Sequence, residues 1–244
     1  MRLIVIGSSS SGCGYALDAG GEILLLEAGM KYKDMAKAIG FRIDEVVGCL
    51  VTHHHQDHAK YAEEYSKHGI TINGTKELME KKHFQFGSHQ ELEPEKTEHI
   101  GGFDVVPFHN HHDCEIYGYL IRHKDMGTLL FSTDTYKIGL YLSGIDHYLI
   151  EANYCDDMLK NNVWDGKINK AQADRIMLSH MSLQYTVKYL QECHAENSKT
   201  ITLCHLSDRN SDPTVFQRTV AGAFGVPCYV AQKNLVVELN KDVI

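Results

Sequence analysis

Residues 52–58 read Thr52-His53-His54-His55-Gln56-Asp57-His58, directly after an apolar run at 46–51 and before a helix-forming stretch. Residues two apart in an extended segment point the same way, so His53 and His55 are placed to hold one cation. The turn into the helix redirects Asp57 and His58 toward a second, and His54 reads as a neighbour rather than a ligand. Further donors recur at the ends of predicted strands: His112-Asp113 after 103–108, Asp134 after 129–131 and His205 after 201–204. Strand ends are where α/β enzymes place their chemistry. Assigning His112 to the first ion, His205 to the second and Asp134 as a bridge gives each ion three protein donors and a shared carboxylate. His109 and His111 compete with His112, and spacing does not choose among them. A closed structural zinc site would be dominated by cysteine, so an open His/Asp set points to catalysis. Imidazole and carboxylate donors suit Zn²⁺ first and Mn²⁺ second. The remaining histidines, at 68, 83, 89, 99, 123, 147 and 194, read as surface or hydrogen-bonded residues without a role.

The elements that must position these donors alternate. Residues 3–6 and 23–26 predict adjacent buried strands joined through a turn, 31–39 a helix, 46–52 a strand, 59–67 a helix and 75–82 another helix. Residues 84–98 are polar and without a period, which predicts a loop or lid. Runs at 103–108, 117–122 and 129–132 predict consecutive strands of a second sheet. A strand at 148–150, a helix near 186–193, a strand at 200–204 and a helix at 213–224 follow. The whole predicts an α/β fold in a single domain over 1–244.

Composition narrows the partners. A formal charge of -8, from 24 Lys+Arg against 32 Asp+Glu, repels a long anionic polymer, and no basic run provides a local patch. Extended nucleic acid is therefore disfavoured, whereas a small anionic substrate can still be drawn in by bound cations. The seven cysteines are an odd number, widely spaced and without a Cys-x-x-Cys pair, and read as reduced small core residues. The apolar run at 3–6 is too short for a signal peptide and no later stretch is long enough to span a membrane, which places the protein in the cytoplasm.

The ordered set His53-x-His55-x-Asp57-His58, His112, Asp134 and His205 resembles the metal motifs of the metallo-β-lactamase superfamily over nearly the whole chain. That resemblance implies a four-layer αβ/βα sandwich with the metals at one edge of two facing sheets. Gly7-Ser8-Ser9-Ser10-Ser11-Gly12, Thr133-Asp134-Thr135-Tyr136, Glu151-Ala152-Asn153-Tyr154, Ser179-His180-Met181-Ser182-Leu183 and His205-Leu206-Ser207-Asp208 look like its phosphodiesterase branch, which includes WalJ-type exonucleases, tRNase Z and phage anti-Pycsar phosphodiesterases. The last group is the most similar in these motifs. It implies a homodimer that hydrolyses cyclic nucleotide messengers such as cCMP and cUMP, countering a host Pycsar-type defence from the host cytoplasm. Three departures stand out: Glu27-Ala28-Gly29 lies where many members carry an Asp, Ser179-His180-Met181-Ser182-Leu183 lies where WalJ-type proteins have Gly-His-x-Ser-Asn, and no long arm of the tRNase Z kind is present.

The expected chemistry is phosphodiester hydrolysis. Two cations lower the pKa of a shared water and stabilise charge on phosphoryl oxygens, while Asp57 helps to position the nucleophile. The leaving oxygen needs a proton, for which His180 is the candidate, oriented by Glu151. The 8–12 turn is either a plain tight turn or a backbone contact to phosphate. A WalJ-like 5′-3′ DNA exonuclease, and a nucleotide-sequestering protein without catalysis, are the alternatives.

Overall fold

The computed structural model describes residues 1–85 and 87–240. The first half of the chain supplies β1 (Arg2–Gly7), β2 (Gly14–Asp18), β3 (Ile23–Leu26), β4 (Val46–Val51), β5 (Ile72–Gly74) and β6 (His89–Glu91). The second supplies β7 (Glu98–Ile100), β8 (Phe103–His109), β9 (Tyr117–His123), β10 (Gly127–Ser132), β11 (His147–Glu151), β12 (Thr200–Cys204), β13 (Cys228–Val230) and β14 (Val236–Glu238). They form two seven-stranded sheets, ordered β14-β1-β2-β3-β4-β5-β6 and β13-β12-β11-β10-β9-β8-β7.

Both faces of the central strands are apolar, because each sheet is covered twice. Leu3, Val5, Leu24 and Leu26 meet Phe103, Tyr119, Ile121 and Phe131 of the other sheet in a shared core. The alternate residues Ile4, Ile23, Leu25 and Cys49 pack outward with Met35, Ala62, Tyr65 and Leu78, from α1 (Tyr32–Ala38), α3 (Ala62–Lys67) and α4 (Lys76–Lys81), the short α2 (Gln56–Ala59) lying between β4 and α3. On the far side, Tyr148, Ile150, Ile201 and Leu203 pack on Leu183, Tyr189, Phe216 and Val220 of α7 (Leu183–Glu192) and α8 (Pro213–Phe224). The layering is helix, sheet, sheet, helix, as the resemblance to the metallo-β-lactamase superfamily implies.

Local signals explain several boundaries. Asp212 accepts the N–H groups of Thr214 and Val215, Pro213 opens α8, and Gly225 closes it at φ 67°. Thr75 caps α4 by accepting from Leu78. Other expectations need correction. The strands at 3–6 and 23–26 are not neighbours: β2 lies between them and pairs antiparallel with both. The helix predicted over 59–67 breaks at Tyr61, whose N–H turns to the Ala28 carbonyl at 2.8 Å. The segment 84–98 holds β6 and the start of β7, so it is not all loop. Two helices that the sequence did not signal, α5 (Asp156–Trp164) and α6 (Lys170–Ser179), follow β11. Cys114 and Cys155 are half-buried rather than core, although all seven cysteines are free.

One charged clamp ties β1 and β2 to the segment beyond α1. The Asp18 carboxylate, fully buried, pairs with Arg42 and, at 2.6 Å, with Arg2, and accepts the Gly20 N–H at 2.9 Å. Burial opposes its charge, but Arg42, the Gly20 amide and Arg2 together hold the carboxyl below its ordinary range. Such a group stabilises the fold above the usual aspartate pKa, and the contribution is lost as pH falls through the depressed value. Asp18→Asn is therefore expected to cost about 2 kcal/mol at neutral pH in urea unfolding, with the gap closing toward strongly acid pH.

Candidate metal centre

Seven of the predicted donors meet at one end of the two sheets. The Val51 carbonyl accepts the Tyr119 hydroxyl at 2.8 Å, and the Thr52 carbonyl accepts the Tyr117 N–H at 3.1 Å, which fixes the exit of β4 against β9. From that exit His53 and His55 project together, their ring centroids 4.6 Å apart, while α2 carries Asp57 and His58. His112 comes from the loop after β8, and its Nε2 lies 3.3 Å from His55 Nδ1. His109 instead sits edge-on to Tyr117, and His111 leans on Tyr136. Of the three competing histidines, His112 is the one brought to His53 and His55.

Asp134 and His205 each follow a strand directly, after Thr133 in one case. Both adopt left-handed backbone, at φ 49° and 55°, as does Glu27 at 65° after β3. Non-glycine residues in that region carry strain that a well-packed surround must hold, and three such residues at one site are notable for that reason. Asp134 lies at the centre: its oxygens are 3.1 Å from His58 Nε2, 3.1 Å from His205 Nδ1 and 3.7 Å from His53 Nε2. Asp57 lies 3.5 Å from His58 and 3.4 Å from His205. The donors thus separate into His53, His55 and His112 on one side and Asp57, His58, Asp134 and His205 on the other.

This arrangement fits a pair of divalent cations on physical grounds. His53 Nε2, both nitrogens of His58 and His112 Nδ1 are buried without a hydrogen-bond partner. The approaches of His58 to Asp134 and, at 3.2 Å, to Glu27 are ion-pair distances whose angles are not those of hydrogen bonds. An unsatisfied buried polar group costs about 1–3 kcal/mol, and ligation through one nitrogen of each ring would relieve that cost at His53, His58 and His112, with His58 Nδ1 left facing Glu27. The charges agree. Burial opposes ionisation of Asp134, yet His205 and His58 hold it well below the usual carboxylate range. Burial likewise opposes protonation of His58 and His205, and the Asp134 charge leads the effects that outweigh it, raising both. Burial, reinforced by the His58 charge, keeps His53 well below its ordinary value. In the protein alone, imidazolium protons balance the buried carboxylates, and a divalent ion would supply that same charge.

Glu27 has a place that the sequence left unassigned. Its fully buried carboxylate accepts the Thr52 hydroxyl at 2.7 Å and the Thr52 N–H at 3.2 Å, and Thr52 Oγ1 in turn meets His53 Nδ1 at 2.9 Å. Glu27 therefore orients His53 and faces His58. Gly29 beside it is obligatory, since a Cβ there would stand 1.7 Å from the Asp57 carbonyl oxygen. An acidic residue ending an all-apolar strand, followed by Ala-Gly, was the available signal.

His180 caps the end of α6, and its Nδ1 lies 2.7 Å from Glu151 Oε1. Glu151, wholly buried at the end of β11, also accepts the N–H groups of Thr135 and Met181. Burial works against a charge on His180, but Glu151 outweighs it and raises its pKa. His180 stacks on His205 at 5.3 Å and stands 3.8 Å from Asp134, close enough to serve as a ligand as well as a proton carrier. The cleft above these groups has a volume of about 450 Å³. Its walls include Ser10 of the 8–12 turn, His55, Asp57, His180 and, from α6, Gln172 and Arg175. The wall is thus formed in part by α6, not by the 84–98 segment predicted as a lid.

When bound, two divalent cations would neutralise charge on a substrate oxyanion and make a water more acidic. The chain's own groups add a carboxylate at Asp57 beside that position and a protonated imidazole at His180 facing the cleft. Together these suit hydrolysis of an anionic ester.

Comparison with known structures defines the fold: it is the metallo-β-lactamase fold. The metallo-β-lactamase fold protein YhfI from Bacillus subtilis superposes with a TM-score of 0.78 at 15% identity, covering 97% of this chain and 99% of that one. Zn²⁺-bound PqqB from Methylobacterium extorquens gives 0.75 at 14% identity, over 98% and 100%. Human tRNase Z, short form, gives 0.67 at 16% identity, over 98% and 99%. In sequence, exodeoxyribonuclease WalJ of Streptococcus pneumoniae is 26% identical over 224 residues, 85% of this chain and 82% of the relative. The chain matches no protein-family model. Among the described residues, no helix is long and apolar enough to cross a membrane.

Proposed function

We propose that this chain is a metal-dependent phosphodiesterase for a small anionic nucleotide, with cyclic mononucleotides such as cCMP and cUMP as the preferred class. The observation that carries the reading is Asp134, 3.1 Å from His58 and His205 and 3.7 Å from His53, with the His180–Glu151 pair beside it. A cleft of about 450 Å³ lies in the range of small-molecule sites, and the charge of -8 works against a polymer. The resemblance of the 133–136, 151–154, 179–183 and 205–208 motifs to those of anti-Pycsar phosphodiesterases extends the proposal to a homodimer acting in the cytoplasm against a Pycsar-type defence. Zn²⁺ is the proposed ion, with Mn²⁺ as a substitute.

The likeness to exodeoxyribonuclease WalJ favours a second reading, a DNA exonuclease on the same donors. Metal-loaded protein should be incubated with 3′,5′-cyclic pyrimidine and purine mononucleotides beside 5′-labelled single- and double-stranded DNA. Turnover of the cyclic nucleotides is expected; cleavage of DNA alone would defeat the first reading. Nucleotide retained unchanged through long incubation would support sequestration instead.

Arg175 should set affinity within this scheme. Among the described residues it is the one arginine or lysine in the cleft wall, it is exposed, and it forms no ion pair. A guanidinium in that position offers paired donors to a phosphate or a carbonyl-bearing base. Arg175→Ala is expected to raise KM about tenfold, with kcat changed far less, and Lys should restore only part because it lacks the planar fork. An unchanged KM in steady-state assays would remove Arg175 from the substrate's path.

A further inference from the structure

We propose that His54, Glu77 and Cys114 form a separate cation site, outside the two clusters above, that takes a borderline-soft divalent ion such as Zn²⁺ or Co²⁺. His54 stands edge-on to His55, their ring centroids 5.0 Å apart, and its nitrogens face Glu77 and Lys81. Its Nδ1 is buried without a hydrogen-bond partner and lies 3.9 Å from Glu77 Oε1. The ligand atoms of His54, Glu77 and Cys114 all lie within 4.8 Å of one another. They come from three separate places: the loop after β4, the first turn of α4 and the loop between β8 and β9.

The site is held in shape by a reciprocal bond. Glu77 N–H donates to the Glu115 carboxylate and Glu115 N–H to Glu77 Oε2, each at 2.8 Å, which locks α4 to the loop carrying Cys114. Glu77 Oε1 is left facing His54. There it receives the Lys81 ammonium at 2.7 Å, and Lys81 also donates to His54 Nε2 at 3.0 Å. A cation thus already satisfies part of this cluster, and it is a replaceable one, because the Lys81 side chain is half exposed. With Lys81 on Nε2, the ring proton resides on Nδ1, so an ion that takes Nδ1 must also turn Lys81 aside. Lys81 therefore competes with the metal.

One sulfur, one imidazole nitrogen and one carboxylate oxygen make a three-ligand set with a fourth position open. Thiolate selects zinc or cobalt over the oxygen-preferring Mg²⁺, Ca²⁺ and Mn²⁺. Cys114 also lies within 4.8 Å of the donor atoms of His53, His55 and His112. That inner cluster already has three imidazoles, whereas the outer one reaches three ligands only with the sulfur.

Titration of the full chain with Co²⁺ tests this, read by the thiolate-to-cobalt charge-transfer absorption, with circular dichroism confirming the fold of each variant. The absorption is expected in the unmodified chain, lost in Cys114→Ser, and reached only at roughly tenfold higher Co²⁺ in His54→Ala and Glu77→Gln. Lys81→Met should shift it to lower Co²⁺. No absorption in the unmodified chain would overturn the proposal. So would absorption undiminished in both His54→Ala and Glu77→Gln, which would assign the sulfur to the ion of His53, His55 and His112. The readout needs no substrate, so it stands apart from the phosphodiesterase reading.

Discussion

Asp134→Asn is expected to lower kcat by roughly 10³-fold or more, about 4 kcal/mol in barrier, and to reduce bound metal below two ions per chain. The substitution keeps the shape of the side chain and removes its charge. That charge lies 3.1 Å from both His58 and His205 and 3.7 Å from His53. Among the described residues no other carboxylate pairs with histidines of both donor clusters: Asp57 reaches His58 and His205, Glu27 reaches His58, and Asp113 reaches His55 and His112. An amide would bind a cation weakly through its oxygen and leave two adjacent positive ions without the anion between them. Elemental analysis beside steady-state kinetics checks both halves. Full metal content together with near-normal turnover would show that the two clusters do not depend on a shared carboxylate.

The same residue shows why so much of this site is legible in sequence. Asp134, His205 and the 53–58 motif all lie just beyond short apolar runs, and a buried strand fixes where the next polar side chain emerges. Pairwise spacing in the extended stretch also places His53 beside His55, as found. His112 could not be separated from His109 and His111 because three near-consecutive histidines differ only in the local turn, which a sequence pattern does not encode. Strand β2 was obscured by the glycines and serines that flank Tyr15, Ala16 and Leu17, although Tyr15 is fully buried. Helices α5 and α6 were missed because their packing is shallow. Of α5 only Leu159 is buried, and of α6 only Ala173 and Ser179, so neither carries a strong apolar stripe. Arg175 was lost with α6. Cys114 read as a core residue because composition alone cannot show that its loop passes beside His54 and Glu77.

His180→Ala should lower kcat by about 10²–10⁴-fold, the usual range for a lost proton donor, while leaving the metal content unchanged. Its Nδ1 is held by Glu151 at 2.7 Å, so the other ring nitrogen is the one available to a leaving oxygen in the cleft. The pH dependence supplies a sharper test. Burial pushes the His180 pKa down, and the Glu151 charge more than reverses it, so the imidazolium persists to higher pH than in a free histidine. If His180 delivers its proton in the slow step, kcat falls as pH rises through that raised value. Glu151→Gln removes the largest raising effect and leaves burial and the nearby His205 opposed only by Asp134, so the alkaline limb of the kcat profile should move to lower pH. A structural role for Glu151 would lower stability or metal content without displacing that limb. Metal lost from His180→Ala would make His180 a ligand, a role its 3.8 Å approach to Asp134 permits, and would require another source for the proton.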